Sequence, residues 1–254
     1  MKQSLSEEEL EKIFIDSRLR RRNPLAVFFK FLGLFLLIFI VFFSFLNFSA
    51  LKQQFLFWWT DEFGQKEQGQ LNLTVYSPGI GNPDEKTPNI SDNSIYIESI
   101  RVKAPIIFRV TNEEKAVADG LKKGTIQLEN TALPGEKGNV FITGHSSNFP
   151  WIRSDYNSVF ALLDKLVIGD LILVKFQNTN YIYQVQDKFV TAPTNLSVLD
   201  ADDNKSTLTL MTCAPIGTNL KRLIIKADQI LPDSATNKQS SDAGQNKKLP
   251  EGVH

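Results

Sequence analysis

The sequence predicts a mainly β domain, closed as a barrel or folded as a sandwich, behind one N-terminal membrane helix. Two observations carry the β domain. Seven or eight β-branched or alternating runs fall within about 140 residues, and breaker-rich segments separate them. Only two short stretches between them carry a helical period. A third observation carries the membrane helix: 21 residues, Phe31 to Leu51, lie without a charge between Lys30 and Lys52.

Residues 1–24 read as a short cytoplasmic arm. Ser6 and Glu9 have capping-box spacing ahead of Leu10, Ile13 and Phe14, which predicts a short amphipathic helix. Residues 25–51 read as an uncleaved signal anchor. At 1.5 Å per residue the uncharged run reaches about 31 Å, the thickness of a bilayer core. A helix apolar on every side over that length is rarely a buried core helix. A cleaved signal peptide fits poorly, because the run is long, Phe-rich and followed by no clean A-x-A-like site. Arg18, Arg20, Arg21, Arg22 and Lys30 crowd the N-terminal side, so the positive-inside rule keeps the N-terminus cytoplasmic and sends the rest outside. Trp58 and Trp59 suit the outer interface belt. Residues 60–93 are polar and rich in Gly and Pro, and residues 52–93 read as an extracytoplasmic linker. Residues 233–254 read as a disordered tail.

The folded part is residues 94–232. Its expected strands are Ser94–Ile100, Val102–Val110, Asn139–Thr143, Asp170–Phe176, Tyr181–Val190, Ser206–Thr212 and Arg222–Ile230. Expected helical pieces are Asn112–Leu121 and Ser158–Leu166; in the second, Val159, Leu162, Leu163 and Leu166 share a face. Lys+Arg and Asp+Glu are both 28 in 254 residues, so no electrostatic argument favours nucleic acid as a partner. With 22% charged and 42% hydrophobic residues, the chain as a whole is not disordered.

One Cys, Cys213, excludes an internal disulfide, a multi-Cys zinc site and an iron–sulfur site. Outside the membrane an unpaired thiol needs a reason, although free Cys is also a common buried hydrophobe. Thr207–Cys213 alternates as a strand, residues 214–221 form a loop with Pro215 and Gly217, and Arg222–Ala227 resumes a strand. Antiparallel pairing of the two strands brings Arg222 near Cys213. A guanidinium there would lower the thiol pKa and stabilise a developing oxyanion. His145 follows the short strand Asn139–Thr143 and is the only imidazole apart from the final His254. Alone, it reads equally well as an ordinary surface or satisfied histidine; with the thiol, it completes the minimum for nucleophilic acyl transfer.

Thr209-Leu-Met-Thr-Cys213 resembles the T-L-x-T-C motif of sortases, membrane-anchored cysteine transpeptidases. Residues 213–222 resemble the family's C-x-P-x-G-x-N-x-x-R stretch, and Arg222, nine residues after Cys213, is spaced as in classes C and E. Gly144-His145 resembles the family's G-H, and residues 99–107 its first β segment. The likeness spans roughly Ile95 to Ile230 and implies an eight-stranded β-barrel with short helices. Class C enzymes often have an Asp-Pro-aromatic lid and a second membrane helix; Asn82-Pro83-Asp84 and the polar tail match neither, which favours a class E- or D-like role on single proteins.

The resemblance gives each site residue a role. Cys213 would attack the Thr carbonyl of a C-terminal sorting signal of the Leu-Pro-x-Thr-Gly type. His145 would protonate the leaving amine, and Arg222 would bind the oxyanion or the substrate backbone. Thr212 would assist, and the loop Thr191–Lys205 would recognise peptide through Leu196, Val198 and Leu199, for which ordinary packing is the other reading. The implied partners are substrate proteins bearing the signal and an amine acceptor on the cell wall or a surface protein. No cofactor and no metal are expected; Asp202-Asp203 near Asp200 reads as a solvated turn. Two rivals remain: another extracytoplasmic cysteine peptidase or hydrolase, and a non-enzymatic anchored β-domain with an inert Cys213. An L,D-transpeptidase would place His and Cys close together, whereas here they are 68 residues apart.

Overall fold

The computed structural model describes residues 6–9, 11, 24–63, 88, 90–202, 204–240 and 249. The chain divides into two compact units, Met1–Phe45 and Leu46–His254. At the N-terminus the capping box forms: Ser6 N donates to Glu9 Oε2 at 3.1 Å and Glu9 N to Ser6 Oγ at 3.3 Å. The basic cluster at 18–22, with Ile13 and Phe14, lies outside the described residues. So do residues 64–87 of the expected linker and all of 241–254 except Leu249.

Helix α1, Pro24–Leu46, opens on a proline, whose fixed φ and missing N–H suit a first turn. Its 23 residues rise about 34 Å, none is buried within the protein, and it is long and apolar enough to cross a membrane. Asn47 breaks the helix, and α2, Phe48–Phe63, follows. This second helix takes in residues 52–63, where the polar residues Lys52, Gln53 and Gln54 suggested a linker. Phe57 on α2 packs against the barrel core, and Ser49 Oγ lies 2.7 Å from Ser158 Oγ.

The β domain contains β1 (Ser94–Ile97), β2 (Val102–Val110), β3 (Thr125–Leu128), β4 (Glu136–Thr143), β5 (Leu171–Phe176), β6 (Thr179–Thr191), β7 (Ser206–Ala214) and β8 (Lys221–Leu231). They lie in the order β3-β2-β1-β5-β6-β8-β7-β4, and pairing of β3 with β4 closes the sheet into an eight-stranded barrel. Helix α3, Glu114–Leu121, joins β2 to β3. A two-residue strand, β9 (Lys238–Gln239), adds to β4 at Glu136 and Lys137. It lies in the stretch read as a disordered tail and is pinned by Asn237, whose Nδ2 donates to Ser206 Oγ at 2.7 Å and to Gln229 Oε1 at 3.0 Å.

Strand alternation sorts the core into two layers. Val140, Ile142, Leu208, Leu210, Leu223 and Ile225 point into the barrel, where Ile95, Ile172, Tyr183 and Leu163 meet them. Phe141, Met211, Cys213 and Ile224 point outward, and α3 covers them with Val117 and Leu121, as does the β6–β7 loop with Val198 and Leu199. Cys213 thus belongs to the outer layer, on the face that the β6–β7 loop overlies.

Two local expectations differ from the structure. The expected helix Ser158–Leu166 is a chain of turns with one 3₁₀ turn, Leu163–Lys165, yet Val159, Leu162, Leu163 and Leu166 are all buried. β3 was not expected: its four residues, Thr-Ile-Gln-Leu, are buried on both faces, so they show no alternation.

Candidate active site

Strand register assembles the site. β4 and β7 pair in parallel, from Gly138 with Ser206 to Thr143 with Met211. β7 and β8 pair antiparallel with Cys213 directly opposite Arg222. β4 and β7 therefore end at the same rim, His145 follows the one and Cys213 lies at the end of the other, and β8 starts there. Directly opposed residues project from the same face with Cβ atoms about 5 Å apart. Thr143 Oγ1 donates to Met211 O at 3.1 Å, Gly144 N to Met211 O at 3.2 Å, and Thr212 Oγ1 to Gly144 O at 2.8 Å. These bonds lace the end of the histidine strand to the end of the cysteine strand.

Gly144 is needed on packing grounds. A Cβ there would come within 2.8 Å of both Phe160 and Val159. Phe160 N donates in turn to His145 O at 2.9 Å, which fixes the histidine backbone over the 156–166 turns. Asn148 fixes the ring: its Nδ2 lies 3.3 Å from His145 Nε2, while its Oδ1 accepts from Phe149 N at 2.8 Å. With Oδ1 so engaged, the amide turns its NH₂ toward the imidazole. Sequence reasoning missed Asn148, because an asparagine in a loop has no signature beyond lying three residues past the histidine.

Cys213, His145, Arg222 and Thr212 are all buried, with 3%, 6%, 8% and 2% exposure. Burial pushes the Cys213 thiol above the ordinary thiol range, and the Arg222 guanidinium acts against that rise. The resting group is therefore a thiol at neutral pH, held beside a cation that favours its ionised form. Arg222 Nη1 donates to Asn219 O at 3.0 Å and to Lys221 O at 3.1 Å. Those two bonds use one nitrogen of a fork with five donors. The loop between the strands is folded on itself, with Thr218 N donating to Pro215 O at 3.0 Å, and is tied to the histidine loop by Gly217 N donating to Ser147 Oγ at 3.0 Å.

The other expected contact residues are distributed as follows. Leu196 is 42% exposed at the start of the 3₁₀ turn Leu196–Leu199, whose Val198 and Leu199 are buried in the same cluster as Cys213. Asn139 on β4 anchors that turn, donating to Val198 O at 3.0 Å and accepting from Thr209 Oγ1 at 2.9 Å. Among the described residues no group of three or more His, Cys, Asp or Glu side chains is placed to hold a metal ion.

With this geometry, the match of residues 95–230 to the sortase domain family is decisive. The chain belongs to the sortase family. Sortase SrtE1 of Streptomyces coelicolor is 28% identical over 188 residues, 66% of this chain and 49% of that protein. The chain thus spans about half the length of that relative. Sortase D of Bacillus subtilis is 24% identical over 169 residues, 65% of this chain and 77% of that protein. Among solved structures, a Clostridium perfringens sortase D5 transpeptidase is 33% identical, over 56% of this chain and 82% of its own, with a TM-score of 0.45. Sortase membership gives the G-H and T-L-x-T-C segments of this chain a common context, and both stand at the rim where β4 and β7 end.

Proposed function

We propose that this sortase is a membrane-anchored cysteine transpeptidase that cleaves a C-terminal sorting signal of the Leu-Pro-x-Thr-Gly type and transfers the protein to a surface amine. The observation that carries this reading is the β7–β8 register, which sets Cys213 opposite Arg222 at the rim where β4 delivers His145.

The chemistry follows from the three groups. Cys213 gives its proton to His145, and the thiolate attacks the Thr carbonyl of the signal. Negative charge gathers on the carbonyl oxygen, and Arg222 hydrogen-bonds it or clamps the adjacent backbone. The imidazolium of His145 protonates the departing Gly amine, the C–N bond breaks, and a thioester remains on Cys213. An acceptor amine then attacks the thioester, His145 takes its proton, and the thiol is regenerated. Thr212 holds the two strand ends in register through Gly144 O. Leu196 meets the peptide, while Val198 and Leu199 form the floor beneath it. α1 spans the bilayer with the N-terminus cytoplasmic and the barrel outside. The likeness to the Streptomyces and Bacillus sortases, with the absence of an Asp-Pro-aromatic lid motif at Asn82-Pro83-Asp84, supports a class E- or D-like role on single proteins.

The test is incubation of the full chain in detergent micelles with a library of sorting-signal peptides and a panel of amines. Ligated product that depends on both peptide motif and amine supports the reading. Free acid alone, unchanged by amine, would assign hydrolysis instead.

A further inference from the structure

We infer that the active-site rim is itself a membrane-docking surface, with the stacked pair Phe149 and Trp151 seated in the headgroup layer of the outer leaflet. The inference rests on the reading of α1 as a membrane span.

Leu46, the last residue of α1, belongs to the same compact unit as the barrel. If α1 crosses the bilayer, its end lies close to the outer surface, within a turn or two of Leu51, where the uncharged run ends. Leu46 and Asn47 line a cavity of about 390 Å³ with Ser147, Asn148, Phe149 and the β7–β8 loop residues Gly217, Thr218 and Asn219. Asn47 is 6% exposed, and a Cβ on Gly217, where φ is +79°, would run into its side chain. The chain leaving the membrane is therefore clamped to the two loops that follow His145 and Cys213. Ser49 extends the clamp through Ser158, and Phe57 packs against the barrel core.

The same rim exposes apolar surface. The rings of Phe149 and Trp151 stack with centroids 4.6 Å apart and planes 9° apart, and the residues are 44% and 65% exposed. Leu220, in the loop opposite, is 68% exposed. Clustered aromatic exposure of this kind marks a binding surface. Phe149 shares a cavity wall with Leu46, so the aromatic pair lies close to the point where the chain would leave the bilayer, beside a polar interfacial layer about 5–8 Å deep. Tryptophan is enriched in that layer because its ring is apolar and its N–H polar. Docking there keeps the catalytic opening at the height where a membrane-tethered substrate leaves the lipid.

The test uses the full chain in phosphatidylcholine–phosphatidylglycerol vesicles. The double variant Trp58→Phe/Trp59→Phe leaves Trp151 as the only tryptophan, since the chain has three. Should it fail to fold, the difference between wild type and Trp151→Phe isolates the same signal. Protein that stays with the vesicles through an alkaline carbonate wash is then studied with lipid brominated high in the acyl chain. Quenching of Trp151 by about twofold or more, with matching loss of access to aqueous iodide, is the expected result. Retained protein whose Trp151 is unquenched and open to iodide overturns this inference alone. Release by carbonate overturns the anchor reading and this inference with it. Protection that appears only on adding a sorting-signal peptide assigns the aromatic pair to substrate and overturns it too.

Discussion

Cys213 sits between two opposing influences, and each can be moved separately. Burial raises its pKa above the ordinary thiol value of about 8.5, so less thiolate is present at any given pH. Alkylation of the folded protein by iodoacetamide should therefore rise with pH through a midpoint above that value. Arg222 acts downward, so Arg222→Ala should shift the midpoint further up and slow alkylation at any fixed pH. Arg222→Lys keeps the charge but loses the planar fork. Its alkylation midpoint should stay near that of the wild type, while kcat/KM falls by about 10²-fold if Arg222 contacts the oxyanion. The loop bonds of Nη1 add a stability loss of about 1 kcal/mol, readable in a denaturant melt. Unchanged turnover in Arg222→Lys would reduce the site to a Cys213–His145 dyad. Asn148 is a positioning residue: Asn148→Ala should lower kcat about tenfold through loss of ring orientation, with the Cys213 alkylation profile unmoved.

Strand ends, not helices, carry the site, so element-level changes should reach it. Gly144→Ala forces a Cβ into Phe160 and Val159 and should cost about 1–3 kcal/mol, with activity lost because Gly144 O and His145 shift together. Asn139→Ala removes the tie between β4 and the Leu196–Leu199 turn. Its expected effect is a raised KM with little change in kcat, measured on a sorting-signal peptide. β6 was readable because it alternates, and β7 and β8, though buried on both faces along most of their length, because they are long β-branched and apolar runs either side of a Pro- and Gly-bearing loop. β3 was not, because it is only four residues long and buried on both faces, which erases the period. The apolar spacing of Val159, Leu162, Leu163 and Leu166 reported their burial correctly but not the hydrogen bonding, since turns can bury the same side chains as a helix. α2 was hidden because Lys52, Gln53 and Gln54 dilute an apolar face that Phe57 makes useful only once the barrel is present.

The whole molecule depends on contacts far apart in sequence. The neighbouring of β4 and β7 joins segments about 70 residues apart, and no periodicity encodes it. What the sequence did show was the chemical content of the rim: one thiol, one interior imidazole and an arginine at hairpin distance. Asn148, the clamp of Asn47 on Gly217 and the exposed Phe149–Trp151 pair emerged only with the fold, because each is defined by what a loop packs against. Covalent catalysis by Cys213 at this rim has a direct readout in intact-mass spectrometry of the full chain in micelles, mixed with a sorting-signal peptide and divided into a portion quenched in acid and a portion given amine before the quench. The expected result is an acyl adduct on Cys213 in the first portion that is replaced by ligated product in the second, and no adduct in Cys213→Ala. Ligated product formed by the Cys213→Ala protein, or by wild type without an adduct at Cys213, would contradict it.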